Sequence, residues 1–360
     1  MSSPNAVIDL DDTGALLEAD RQGLLRASAM AGAQVRAVAG AVAEGLLASV
    51  ADGQRPRSVI WVSGRGAAGA AGEILTAALA GITGEPLVLA AQSPSWIGPL
   101  DLLVVAGEDP ADPVLVSAAA TAVKRGARVV VAAPYEGPLR EATADRAAVL
   151  APRLPVPAEF GLCRYLAAGL AAVSAVDPAL RVDLDLLADE LDAEALRNST
   201  SREVFTNPAK ALAVRMTDRQ VVLAADSAAV LGLARHGAAV LLRLAARSAA
   251  AVGIDDAVAA LAAGPAGGFT DPVDALFHDD QIDGPLPSRL RVIALALSTE
   301  RPLLAARLAG MAAEPVDLLV AEDVGDAASA LAAGSPIEVQ LATLAVRLEM
   351  AAVYLRLAGG

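Results

Sequence analysis

Apolar residues recur at three- and four-residue steps through the first sixth of the chain: Leu16, Leu17, Leu24, Leu25, Val35, Val38, Val42, Leu46 and Leu47. That spacing lines one face of a helix, and Asp12 or Thr13 can cap its start. Helix is expected as far as Gly53–Arg57. The period then changes. Ser58–Ser63 is a short β-branched and aromatic run, followed by a glycine-rich turn at 64–69 and an alanine-rich helix to about Ala80. Further strands are predicted at Pro86–Ala90, Leu100–Ala106, Ala127–Ala132 and Ala147–Leu150, with helices at Asp112–Arg125 and Leu139–Asp145. Continuous apolar strands alternating with helices indicate a parallel sheet covered on both faces.

Pro152, Pro155 and Pro157 punctuate the chain before a helix at Glu159–Val176, and Pro178 closes it. A second cycle follows: helix Val182–Leu196, polar segment Arg197–Asn207, a helix after Pro208, strand Gln220–Ala224 and a long helix Ala228–Val252. Residues 264–288, rich in Gly, Pro and Asp, read as a long loop. Arg291–Leu297 and Val316–Ala321 are strand candidates, and Pro336–Leu357 is a closing helix. The fold class is α/β, with two similar doubly wound halves packed face to face. The divisions fall at 1–55 (helical), 56–155 (first α/β unit), 156–215 (linking helices) and 216–360 (second unit).

Composition narrows the class. The chain has 360 residues, 55% hydrophobic and 19% charged, with mean hydropathy +0.50, so it folds rather than staying disordered. No run approaches the 18 to 20 nearly uninterrupted apolar residues of a membrane span, because Ala228–Ile254 is broken by Arg235, His236, Arg243 and Arg247. No membrane contact is expected. Asp9, Asp11 and Asp12 stand where a secretory signal would be basic and apolar, so a cytoplasmic location is expected. The single cysteine, Cys163, excludes an intrachain disulfide framework and, in its apolar surroundings, reads as a packing residue. A net charge of -14 opposes binding to nucleic acid or anionic lipid.

The sharpest local pattern is Gly64-Arg65-Gly66-Ala67-Ala68-Gly69, a G-x-G-x-x-G after a strand and opening a helix, where backbone N–H groups and the helix dipole can hold an anion. Three readings stay open: a dinucleotide, another anionic ligand, or glycines that merely let helix and strand approach. Dinucleotide binding also needs an acidic residue at the end of the second strand. That strand ends Ala90-Ala91-Gln92, and Glu85 precedes it. A Ser/His/Asp hydrolase built on Ser63 and His278 lacks a G-x-S-x-G turn.

Val59–Gly69 resembles the first strand and loop of SIS (sugar isomerase) domains, and the layout resembles the bifunctional phosphoglucose/phosphomannose isomerases, which carry two such domains in tandem. The resemblance rests on Gly64 and Gly66, on Leu102–Ala106 followed by a helix and Lys124-Arg125-Gly126-Ala127, on Asn207-Pro208-Ala209-Lys210, and on Tyr354-Leu355 in the closing helix. It implies two tandem flavodoxin-like domains, a phosphosugar site between the halves, isomerisation through an enediol, no cofactor, and a homodimer for which the closing helix could supply the interface.

The sequence departs from the family where the chemistry lies. Gly107-Glu108-Asp109-Pro110-Ala111-Asp112 replaces the Ser-Gly-Asn-Thr loop whose hydroxyls grip phosphate, and the serine of the first loop falls at Ala68. Three carboxylates there should repel a dianionic phosphate. The region matching the family's Glu-Asn-Ala-Lys base reads Ala245-Ala246-Arg247-Ser248-Ala249. Of the two histidines, His236 is assigned to a surface or an interface. His278, beside Asp279 and Asp280, is the acid/base candidate; a metal at His278, Asp279, Asp280 and Asp283 is disfavoured for want of a second histidine. Lys210 is assigned to a helix surface.

The expected ligand-binding residues are Ser63, Gly64, Arg65, Gly66, Glu108 and Asp109. The catalytic candidates are His278 as acid and Glu203, or Glu108, as base. The first functional reading is a SIS protein of sugar metabolism that binds a sugar phosphate or related ligand, or regulates a partner, without isomerase turnover. The second is an active isomerase with relocated groups, and the third a dinucleotide oxidoreductase.

Overall fold

The carboxylate of Asp12 accepts from the Ala15 amide and starts α1 (Thr13–Ala19), as expected. The helical stretch is then cut into three, because the Asp20 carboxylate takes the amides of Leu24 and Leu25 at 2.8 and 2.9 Å and starts α2 (Leu24–Ser28), which α3 (Ala31–Ala43) follows. The computed structural model describes residues 8–263, 290–309, 316–323, 331 and 334–359.

The first sheet contains β1 (Ser58–Ser63), β2 (Leu87–Ala90), β3 (Asp101–Ala106), β4 (Arg128–Ala132) and β5 (Ala148–Val149), all parallel, in the order β2-β1-β3-β4-β5. Alternate residues feed two cores. Val59, Trp61, Leu102 and Val104 face the main core of the molecule, while Ile60, Val62, Leu103 and Val105 face α5 (Pro113–Lys124). Between β1 and β2 runs α4 (Ala67–Leu79), and α6 (Gly137–Thr143) precedes β5.

Three helices, α7 (Leu162–Val176), α8 (Leu184–Arg197) and α9 (Pro208–Met216), lead to the second sheet. Its strands are β6 (Gln220–Ala225), β7 (Ala249–Gly253), β8 (Leu290–Leu295) and β9 (Asp317–Leu319), parallel and ordered β7-β6-β8-β9. Second, first, third, fourth is the order in both sheets, so the two halves repeat one topology. The remaining helices are α10 (Ala228–Ala245), α11 (Ile254–Ala263), α12 (Arg301–Ala309) and α13 (Ile337–Ala358).

Three expectations are corrected. The helix expected to run to Val252 stops at Ala245: Ala246 turns left-handed at φ 52°, and Ala249–Gly253 pairs with β6 instead. Alanine favours helix intrinsically, but the open hydrogen-bonding edge of β6 outweighs a few tenths of a kcal/mol per residue. The closing helix is not a free surface for a second copy. Its side chains are buried almost along its whole length by α10, α9, α8, α7 and α2 of the same chain. Lys210, assigned to a helix surface, is fully buried: its ammonium donates to the carbonyls of Thr200 and Arg202 at 2.9 and 2.7 Å and lies 5.6 Å from the Tyr354 ring centre.

A buried polar network fastens these helices. Glu194 of α8 accepts from Arg347 Nε at 2.8 Å, Arg197 Nε at 2.9 Å and Asn198 Nδ2 at 2.7 Å, and Arg347 donates to the carbonyls of Val320 and Ala321 after β9. Burial alone would raise the Glu194 carboxyl pKa; the two guanidiniums and the amide hold it below its ordinary value. The halves meet chiefly where α10 packs on α4, with Arg235 paired to Glu73. By length and composition α10 could cross a bilayer, yet more than half of it is buried inside the protein.

Candidate functional site

In the first sheet the chain leaves β1 toward β2 on one side and later returns to build β3 and β4 on the other. Loops that diverge at such a switch point open a crevice at the carboxyl ends of the strands. Here they are 63–66 after β1 and 107–112 after β3. The Gly64 amide donates to the Ala106 carbonyl at 2.9 Å and the Gly107 amide to Ala132 at 3.3 Å, so neither is free for a ligand. Ser63 is half-buried and Arg65 is exposed. Gly66, at φ 80°, begins α4 without a side-chain cap; a Cβ there would lie 3.1 Å from Nη1 of Arg243, a residue of α10. The second half thus brings a guanidinium against the glycine loop of the first.

The three carboxylates of the second loop are tied to the protein's own groups. Asp109 accepts from the Ala111 amide and Asp112 from the Val114 amide, both at 2.8 Å, the latter capping α5. The other oxygen of Asp112 leans over the glycine loop, 3.3 Å from where a Cβ on Gly64 would stand. Glu108 is held from α7: Arg164 Nη2 and the Tyr165 hydroxyl both donate to its Oε1, at 2.6 and 2.7 Å. The Arg164 guanidinium stacks 4.2 Å from the Tyr165 ring centre, and burial pushes the Tyr165 hydroxyl well above its ordinary range. Sequence reasoning missed Arg164 and Tyr165. The available signal was an arginine inside the apolar run from Phe160 to Val176.

The other assigned residues lie elsewhere. Glu203 is exposed beside the start of α1, where the Val204 amide donates to Asp11, and no contact joins it to Glu108. His278, with Asp279, Asp280, Asp283 and the 264–288 loop, lies outside the described residues. His236 is buried, not on the surface, with Nε2 2.9 Å from Glu349 Oε1 of α13. Burial raises the Glu349 carboxyl while His236 opposes the rise. Cys163 packs in the same core as expected, and burial, then Glu349, pushes its thiol up. At the carboxyl end of β2 there is no carboxylate; Glu85 is buried at the opposite end of that strand. At the second sheet's switch point, Ser298 spends its amide and hydroxyl on Gln340 Oε1, and Arg307 pairs with Asp226 and Asp255.

No family model and no curated protein matches this sequence. Solved structures do resemble it. Tagatose-6-phosphate ketose/aldose isomerase from Escherichia coli superposes with a TM-score of 0.60 at 18% identity, over 99% of this chain and 95% of that one. The chain has the SIS fold. The C-terminal domain of glucosamine-fructose-6-phosphate aminotransferase from Francisella tularensis gives 0.55 at 12% identity over 94% and 96% of the two chains. A glucose-6-phosphate isomerase-like protein from Thermus thermophilus gives 0.50 at 19% over 98% and 94%. At these identities the likeness is one of fold, and it spans both SIS halves.

Proposed function

We propose that this SIS-fold chain is a cytoplasmic carbohydrate-binding protein, taking a sugar phosphate or related sugar in the first-sheet crevice and acting by binding or partner regulation rather than isomerase turnover. One observation carries the reading: the loop after β3 holds carboxylates in place of hydroxyls, and each is committed to a cap, a turn or an ion pair. A general base must be free to take a proton at the operating pH. Glu108 Oε1 is instead already taken by two donors, the Arg164 guanidinium and the Tyr165 hydroxyl. A homodimer is retained as a proposal, with its interface away from the buried closing helix.

The test is a paired measurement on the purified chain: turnover of fructose 6-phosphate and mannose 6-phosphate, and thermal shift with the same compounds and their parent sugars. No turnover and a saturable rise in melting temperature are expected, because a ligand of the native state alone stabilises it by mass action. Turnover abolished by Glu108→Gln would establish the active-isomerase reading instead, which the exposure of the Glu108 side chain favours.

A further inference from the structure

At the amino end of the first sheet, opposite the crevice, two arginines stand on neighbouring strand starts. Val130 of β4 pairs with Ala148 of β5, and two residues before each lie Arg128 and Arg146. Both line one pocket of about 210 Å³, whose other walls include Ser49, Val50, Val123 and Val129. The Arg128 side chain is only 13% exposed, and its Nη1 is occupied: it donates to the carbonyls of Val50 and Gln54 at 3.0 Å and to Asp52 Oδ1 at 2.8 Å. Nε and Nη2 have no acceptor among the described residues, yet neither belongs to the buried polar atoms left without a partner, so solvent reaches both. The Arg146 side chain is exposed and makes no hydrogen bond or ion pair among the described residues. Asp145, its neighbour in sequence, goes to Arg140 at 3.3 Å.

Two guanidiniums on one pocket repel, and Asp52 answers only one of them. The pair keeps a positive charge that an anion would neutralise. What Arg128 can offer is its Nε–Nη2 edge, two parallel N–H groups that match the two-oxygen face of a carboxylate or phosphate. The pocket is smaller than the roughly 300–1,000 Å³ of sites for drug-sized molecules, and valines form part of its wall. We propose that Arg128 and Arg146 form a second ligand site, at the other end of the sheet from the crevice, for a small organic anion. Its carboxylate or phosphate group is held by the guanidiniums and its short carbon body lies against Val50, Val123 and Val129. This site stands or falls independently of the crevice.

Benzoate, butyrate, glycerol 3-phosphate and inorganic phosphate are titrated calorimetrically into the full chain, with benzyl alcohol, butanol and glycerol as uncharged counterparts. At least one organic anion is expected to saturate a single site, more tightly than inorganic phosphate, while its uncharged counterpart does not bind. Either head group supports the site, and the arms tell which it takes. Arg146→Gln, at a side chain that holds no other described group, should weaken binding about tenfold or more, the scale of a lost charge-assisted hydrogen bond. Arg128→Lys keeps the charge, loses the fork and should weaken it as well, with circular dichroism showing both variants folded. Arg65→Gln, on the glycine loop of the crevice, should leave it unchanged. The proposal fails if no anion binds or if the uncharged compounds bind equally. Binding of inorganic phosphate alone would overturn the ligand class. Binding lost in Arg65→Gln but kept in Arg146→Gln would put the anion at the glycine loop and overturn the second site while leaving the crevice reading intact.

Discussion

Gly72 of α4 faces the Trp61 indole so closely that a Cβ would stand 2.3 Å from Cδ1, and the indole is anchored by its own hydrogen bond to the Ala68 carbonyl. Two effects compete in Gly72→Ala. Alanine gains about 1 kcal/mol of helix propensity, while overpacking a well-filled core costs about 1–3 kcal/mol. Because the ring cannot slide without losing its acceptor, the clash should win, and denaturant unfolding should show a net loss. An unchanged or raised midpoint would mean that β1 and α4 separate more easily than their packing suggests. The same residue scale divides the site. Gly64 and Gly66 are legible as a strand-to-helix turn, but Arg243, distant in sequence, becomes a neighbour of Gly66 only once α10 has docked on α4.

Between elements, the clearest titration lies where the segment before β1, the loop before β2 and the end of α7 converge. Glu85 and Asp177 are both buried, and the half-exposed Arg55 is 3.6 Å from the first and 2.6 Å from the second. Burial, then the charge of Asp177, raises the Glu85 carboxyl; for Asp177 burial is outweighed by the amides of Ala179 and Gly84 and by Arg55, so its carboxyl is lowered. The signs differ. Glu85 binds a proton more tightly when folded, so its contribution is full below the ordinary glutamate value of about 4.3 and is lost as pH rises through its raised value. Asp177 contributes above the ordinary aspartate range and loses that contribution as pH falls through its lowered value. Glu85→Gln keeps the shape and removes the titration, so its melting temperature should gain on the native chain as pH rises above the ordinary glutamate value of about 4.3. Parallel curves would mean that folding does not raise the Glu85 carboxyl. Sequence alone placed Glu85 correctly just before β2 but held no hint of Asp177, 92 positions later.

For the whole molecule, one apolar core runs from Leu10 to Leu357 and takes side chains from both sheets, the linking helices and both terminal helical regions. One core shared across 55, 155 and 215 predicts that the segments on either side do not unfold independently. Calorimetry should show a single transition with calorimetric and van't Hoff enthalpies close to equal. A chain ending before Ile337 should lack native tertiary structure in both halves, because the closing helix packs on α2 and α7 as well as on α10. Two resolved transitions would show that the halves fold separately despite the shared core. The α/β class, every strand position but that of Ala249–Gly253, the repeat and the loops after β1 and β3 followed from the sequence, because continuous apolar runs, alanine-rich helical stretches and glycine turns are local signals. Tertiary structure decided the rest. Ala249–Gly253 became strand through the open edge of β6, Lys210 went inside because the carbonyls of Thr200 and Arg202 satisfied its ammonium, His236 because Glu349 of the closing helix met it, and Glu108 met Arg164 and Tyr165 only when α7 crossed the end of β3. Secondary structure is set by periods of two to four residues, whereas whether a charge is buried, paired or free depends on groups the chain brings together from far apart.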